Sequence, residues 1–134
     1  MREWSRQGIV FYADRAELTA TTNRKEAESM VMIHLKDIVR EFKQVVGAKY
    51  PVSDMRLFGS NARGDATGES DIDIFLQIAD LTTAIEQDVY NMAYELELKY
   101  DCVIDVILLS DATVRNHADY LPIYRNILRE GVRL

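Results

Sequence analysis

A chain of 134 residues, set against roughly 150 residues per domain, predicts one core, with no room for a catalytic domain plus a separate acceptor-binding domain. Hydrophobic and charged fractions of 48% and 28% are those of a soluble globular chain, and no apolar run approaches the roughly 18 residues of a spanning helix, which excludes membrane insertion. The net charge is -6, and between Gly59 and Asp111 two basic residues, Arg63 and Lys99, face twelve acidic ones, so unaided binding of duplex nucleic acid is excluded as well.

In chain order, the opening MREWSRQGIVFYADRAE carries charges throughout and lacks the apolar centre of a secretory signal. Gly8 to Ala13 reads as a short strand, within an extension over residues 1–29. Asn23 and Glu26 have capping-box spacing. Val31, Leu35, Ile38, Phe42 and Val45 then form the apolar stripe of a long helix, with Gly47 as its left-handed stop. Asp54 to Phe58 reads as a strand entering Gly59-Ser60, Asn61-Ala62-Arg63 as a helical turn, and Gly64 to Gly68 as a loop.

Asp71 to Ile78 alternates, with Ile72, Ile74, Leu76 and Ile78 on one face. A helix from about Leu81 to Lys99 turns Ile85, Val89, Met92, Ala93 and Leu96 inward and gives Glu86, Asp88, Glu95 and Glu97 to a solvated face. Cys102 to Leu109 predicts a buried strand interrupted only by Asp105. Ser110 caps a further turn, and Pro122 starts a last helix carrying Ile123, Ile127 and Leu128 that Gly131 ends. The order implies an α/β (α+β) fold, a small mixed sheet flanked by helices. One cysteine, Cys102, neither staples the chain nor supplies a cysteine-rich metal cluster, and it fits a reducing cytoplasm.

The chemistry concentrates in three aspartates. Asp71 and Asp73, at i and i+2 on a strand, project from one face and can share a divalent cation of the Mg²⁺ type. Asp105, inside an apolar run, costs several kcal/mol to bury unpaired. It must reach a cation, hydrogen-bond donors or a cleft; a salt bridge with Arg63 or Arg56 is the structural alternative. If its strand neighbours that of Asp71 and Asp73, three negative charges converge and call for a metal. Gly59-Ser60 supplies the other half, a glycine that lets backbone approach a phosphate and a hydroxyl beside it. The six fixed positions of the combined pattern have chance odds on the order of 10⁻⁷ per start point, so composition alone does not account for it.

Gly59-Ser60-Asn61-Ala62-Arg63-Gly64, five residues, then Ser70-Asp71-Ile72-Asp73 resembles the motif of the minimal nucleotidyltransferases, within the DNA polymerase beta-type nucleotidyltransferase superfamily. The resemblance covers residues 30–134, including the closing Asn126 to Leu134. It implies that Gly59 and Ser60 hold the nucleoside triphosphate, that Asp71 and Asp73 ligate Mg²⁺, and that Asp105 is the third carboxylate. Arg63 braces the loop or the carboxylates, with phosphate contact as a second role. Two Mg²⁺ ions, or Mn²⁺ in their place, are expected.

By the same resemblance, AMP from ATP (or the nucleotide of another NTP) goes to a hydroxyl, foremost a tyrosine, on a small all-helical HEPN-type partner, with this chain as the antitoxin of the pair. A small-molecule transferase of the aminoglycoside type and an antitoxin that acts by binding alone stay open, as does self-association. His34, His117 and Cys102 read as structural residues, and the tyrosines as packing or interface residues.

Overall fold

The computed structural model describes residues 24–67 and 70–134, and side chains from His34 onward, Tyr120 excepted. The predicted strand at residues 8–13 and the Asn23 cap lie outside the described residues. Helix α1 (Arg24–Gly47) runs through Met30 without a break. It is followed by β1 (Val52–Phe58), the single turn α2 (Ser60–Arg63), β2 (Ile72–Ile78), α3 (Thr83–Tyr100), β3 (Ile104–Ser110), α4 (Asp111–His117), a 3₁₀ turn (Ala118–Tyr120), α5 (Pro122–Glu130) and β4 (Val132–Arg133).

The four strands form one mixed sheet in the order β3-β2-β1-β4. The β1–β2 and β1–β4 pairs are antiparallel, and β2–β3 is parallel. Ile72, Ile74, Leu76 and Ile78 all turn to the face that packs on Leu35, Ile38 and Phe42 of α1 and on Val89, Ala93 and Leu96 of α3. Strand alternation sends Asp73, Phe75 and Gln77 to the opposite face. There Phe75 is fully buried against the ring of Tyr124, 5.6 Å between centroids, while Ile127 of α5 is also fully buried. The core therefore lies chiefly on one side of the sheet, and the acidic residues emerge on the other.

Local chemistry explains the boundaries. Thr82 caps α3 by accepting a hydrogen bond from the Ile85 N–H, and Ser110 caps α4 by accepting from Thr113. Pro122 occupies the first turn of α5, where its missing N–H costs nothing. Two expectations at the end of α1 are corrected. Val46 is buried and Val45 is exposed, because the contact to the sheet advances by four residues from Phe42, not three. Gly47 is the last helical residue; the described glycines with positive φ are Gly59 and Gly64.

The predicted buried strand is also corrected. β3 sits at the edge of the sheet, with Ile104 and Leu108 buried on the core face and Asp105 exposed. Its remaining apolar residues are half-buried, as suits a strand that pairs along one side only among the described residues. Of the apolar residues assigned to α5, only Ile127 is buried; Ile123 and Leu128 face out. Nor is the acidic face of α3 merely solvated. Asp88 accepts hydrogen bonds from Lys49 and Tyr50, and Glu97 accepts one from the Ile104 N–H at 2.7 Å, fastening α3 to the start of β3. Among the described residues no helix is long and apolar enough to cross a membrane.

Candidate active site

The parallel register of β2 and β3 sets Asp73 directly beside Asp105, about 4.8 Å apart across neighbouring strands. Asp71 lies two residues before Asp73 and shares its face by alternation. All three predicted carboxylates thus share the outer face, at the end of β2 where the chain enters. Asp71 and Asp105 are exposed and Asp73 is half-buried. Burial first, then the charges of Asp105 and Asp71, push the Asp73 carboxyl above its ordinary range, with Arg63 partly opposing them. Neither arginine offered as a partner for Asp105 takes that role. Arg56 pairs with Asp54 at 2.8 Å, and Arg63 pairs with Asp65 at 3.3 Å and Glu130 at 3.4 Å.

The fourth wall is the turn between β1 and α2. Phe58 is paired with Asp73, so the chain leaves β1 beside that carboxylate. Gly59 follows with φ 73° and ψ -155°, a conformation open essentially to glycine alone. A Cβ built there would lie 2.3 Å from Asp73 Oδ2. The backbone therefore touches the carboxylate because position 59 has no side chain. From Gly59 the chain closes a turn in which Ala62 and Arg63 donate their N–H groups to the Gly59 carbonyl. Gly64, with φ 85°, ends it.

Asn61, whose role residue-type reasoning missed, donates from Nδ2 to the Asp71 carbonyl at 2.9 Å and so fixes the turn against the entrance of β2. Its signal was present: a polar amide inside a glycine-bounded motif, ten residues before the strand. Arg63 braces the same turn against the end of α5 through Glu130, an exposed contact whose value is positional. On α3, burial first and then the charges of Glu86 and Asp105 push the Tyr90 phenol above its ordinary range.

The donor set is hard oxygen throughout, and its mutual repulsion is what a divalent cation relieves. Among the described residues no three acidic, histidine or cysteine side chains are drawn together closely enough to cage an ion unaided. A divalent cation of the Mg²⁺ type needs only one or two carboxylates from protein, with the rest from water and phosphate oxygens, and Asp73 and Asp105 stand in adjacent register.

Residues 39–134 match the family model of the nucleotidyltransferase domain. The chain belongs to that family. Among curated proteins, this nucleotidyltransferase is 36% identical over 95 residues to "Putative protein adenylyltransferase MJ0604" of Methanocaldococcus jannaschii, covering 69% of this chain and 90% of the relative. A second relative from the same organism, "Putative protein adenylyltransferase MJ0141", is 32% identical over 91 residues, 66% of this chain and 92% of its own length. Among solved structures, one described as "a putative nucleotidyltransferase from Sulfolobus solfataricus" superposes with a TM-score of 0.53 at 21% identity, over 84% of this chain and 88% of the other. A chain of a toxin–antitoxin complex with AMP-PNP does so at 0.51 and 20% identity, over 72% and 69%. At these identities the superpositions show a shared fold.

The raised Asp73 carboxyl has a consequence for stability. A carboxylate whose pKa is higher folded than unfolded opposes folding once ionised, and that penalty vanishes as pH falls through the folded value. Asp73→Asn is therefore expected to raise the melting temperature of the nucleotide-free nucleotidyltransferase at pH 7, with the gain disappearing as pH falls through the carboxyl's range. Mg²⁺ with ATP is expected to raise the melting temperature of wild type further, and the same variant to lose that rise. Scanning calorimetry at pH 7 and at lower pH reads this directly; an unchanged or lowered melting temperature at pH 7 would contradict it.

Proposed function

We propose that this nucleotidyltransferase transfers AMP from ATP to a hydroxyl, foremost of tyrosine, on a small all-helical HEPN-type protein, and that it is the antitoxin of that pair. The observation that carries the reading is the registration of Asp105 beside Asp73, with the Gly59 turn against the same carboxylate. Two families of contacts that nucleotidyl transfer needs, carboxylates for cations and open backbone for phosphate, then share one end of the sheet. The protein adenylyltransferase names of the Methanocaldococcus relatives support a protein acceptor. The superposition on a chain of a toxin–antitoxin complex with AMP-PNP is consistent with that setting.

In this reading Gly59 and Ser60 receive the triphosphate, the glycine by admitting it close to the main chain and the serine by its hydroxyl. Asp71, Asp73 and Asp105 would hold Mg²⁺, which when bound offsets the charge of the triphosphate and makes the acceptor hydroxyl more acidic. Asp105, the exposed member of the adjacent pair, stands on the acceptor side and takes the hydroxyl proton on a carboxylate oxygen. The acceptor oxygen forms its bond to the α-phosphorus as the bond to pyrophosphate breaks, in line. Asn61 and Arg63 hold the turn in place and touch no reacting atom.

The test is incubation of the purified chain with α-labelled ATP, Mg²⁺ and the HEPN-type protein encoded beside it. Mass spectrometry should find AMP on that protein, on tyrosine. Consumption of ATP only with an added small hydroxylated molecule would favour a small-molecule transferase. Neutralisation of the partner without its modification would favour an antitoxin that acts by binding alone.

A further inference from the structure

The outer face of α3 carries a row of large apolar side chains left substantially exposed in the described chain. Tyr90, Tyr94 and Leu98 recur at four-residue spacing and so line one side of the helix. They are 41%, 57% and 67% exposed, unusual values for large apolar side chains standing in a row. Val103, just past the helix end, is exposed as well. The helix that carries this row is tied to the strand that carries Asp105. Glu97 bonds the N–H of Ile104, the residue before Asp105, so the C-terminal half of α3 and the strand carrying Asp105 are fastened side by side. At the other end Tyr90 lies within reach of the Asp105 charge.

Charge says what kind of surface fits there. Glu86 and Glu97 flank the stripe on one side and Glu95 on the other. The helix's one lysine, Lys99, is engaged with Glu41 at 2.9 Å on α1, away from the stripe. The result is an aromatic and aliphatic row between carboxylates, the composition of an interface centre with a charged rim. A second copy of this chain would bring the same carboxylates and a further net charge of -6 against it, which disfavours a symmetric self-contact.

We infer that Tyr90, Tyr94 and Leu98, continued by Val103, form the surface on which the acceptor protein docks, and that this acceptor presents an apolar patch ringed by lysine or arginine. The inference rests on the protein-acceptor reading above and deepens it. Docking along α3 delivers the partner's hydroxyl over the edge strand to Asp105, with the triphosphate side of the site left free. Aromatic anchors dominate the affinity of such contacts, while the acidic rim speeds encounter and sets its salt dependence.

The experiment places a photocrosslinking benzoylphenylalanine at position 94, with Ile123 on α5 as the control position, and pairs it with transfer kinetics of Tyr94→Arg/Leu98→Arg and Glu95→Lys. The probe is the protein that the wild-type chain labels with AMP or, if none is labelled, the HEPN-type product of the adjacent gene. All substituted side chains are exposed and none is assigned to the site, so melting temperature and ATP binding should stay as in wild type. The expected result is crosslinking to the probe at position 94 and not at 123. KM for the acceptor should rise at least about 10-fold in the double variant with little change in kcat, and more modestly in Glu95→Lys, whose rate should lose salt dependence.

Crosslinking at 94 to a second copy of the chain, or back to residues 1–23, would overturn the inference. So would transfer with unchanged KM. Crosslinking to the probe without any AMP transfer would retain the docking surface and sink the adenylyl-transfer reading; transfer without crosslinking would do the reverse. Absence of both would end both.

Discussion

Asp105→Asn is expected to reduce AMP transfer by at least about 100-fold, the scale of losing a positioned general base or metal ligand, while the protein stays folded and still binds its partner. The separation of effects follows from where Asp105 sits. It is exposed on an edge strand, with Ile104 and Leu108 carrying the packing of β3 on the other face. Removing its charge therefore disturbs no buried contact, and the amide keeps the shape. Mass spectrometry of the partner should find AMP with wild type and none with the variant over the same time, and calorimetry should give equal partner affinity. Transfer within a few fold of wild type would remove Asp105 from the chemistry and leave Asp71 and Asp73 to act alone.

The second large effect is expected from Gly59→Ala. Alanine at φ 73° and ψ -155° is strained whatever the space around it, at a cost of about 1–3 kcal/mol. Here space is missing as well, since the new methyl would press on Asp73 Oδ2 at 2.3 Å. Either the turn lifts away from β2 or Asp73 swings out of the carboxylate cluster, and in both cases phosphate and cation contacts part company. Transfer should fall at least about 10-fold even well below the lowered melting temperature. Gly64→Ala is the matched control. Its φ is also positive, but its added methyl meets open space, so it should lose stability of about 1 kcal/mol and retain its rate. Equal kinetics in the two variants would show that the approach of Gly59 to Asp73 has no role in transfer.

Much of this was legible without coordinates because it depends on chain-local chemistry. The alternation of Ile72, Ile74, Leu76 and Ile78 defines a strand face and places Asp71 and Asp73 opposite it, as observed. Thr82 is the exception among the caps, since the helix was expected to begin near Leu81; Ser110 and Pro122 begin their helices as expected, because a hydroxyl acceptor and a fixed φ act within one turn. The glycine-bounded motif before the paired aspartates was legible for the same reason. Its left-handed glycines, by contrast, were misplaced: Gly47 looked like the helix stop, whereas Gly59 and Gly64 carry the positive φ.

What the residues could not express locally is who stands beside whom. An apolar run such as Cys102 to Leu109 is compatible with a central strand buried on both faces or an edge strand buried on one. Only the order β3-β2-β1-β4 decides that β3 is an edge and Asp105 exposed. Acidic residues on a helix likewise read as solvated until packing brings Asp88 to Lys49 and Tyr50, and Glu97 to the start of β3. The short β4 follows the same rule, for two residues have no periodicity and become a strand only by pairing with Arg56 and Leu57. Residue types and spacing determined which side chains of this protein are candidates for phosphate chemistry. The parallel pairing of β2 with β3, a contact between segments some thirty positions apart, decided that Asp105 stands next to Asp73, because strand neighbours are chosen by the packing of whole faces and not by any pattern within one strand.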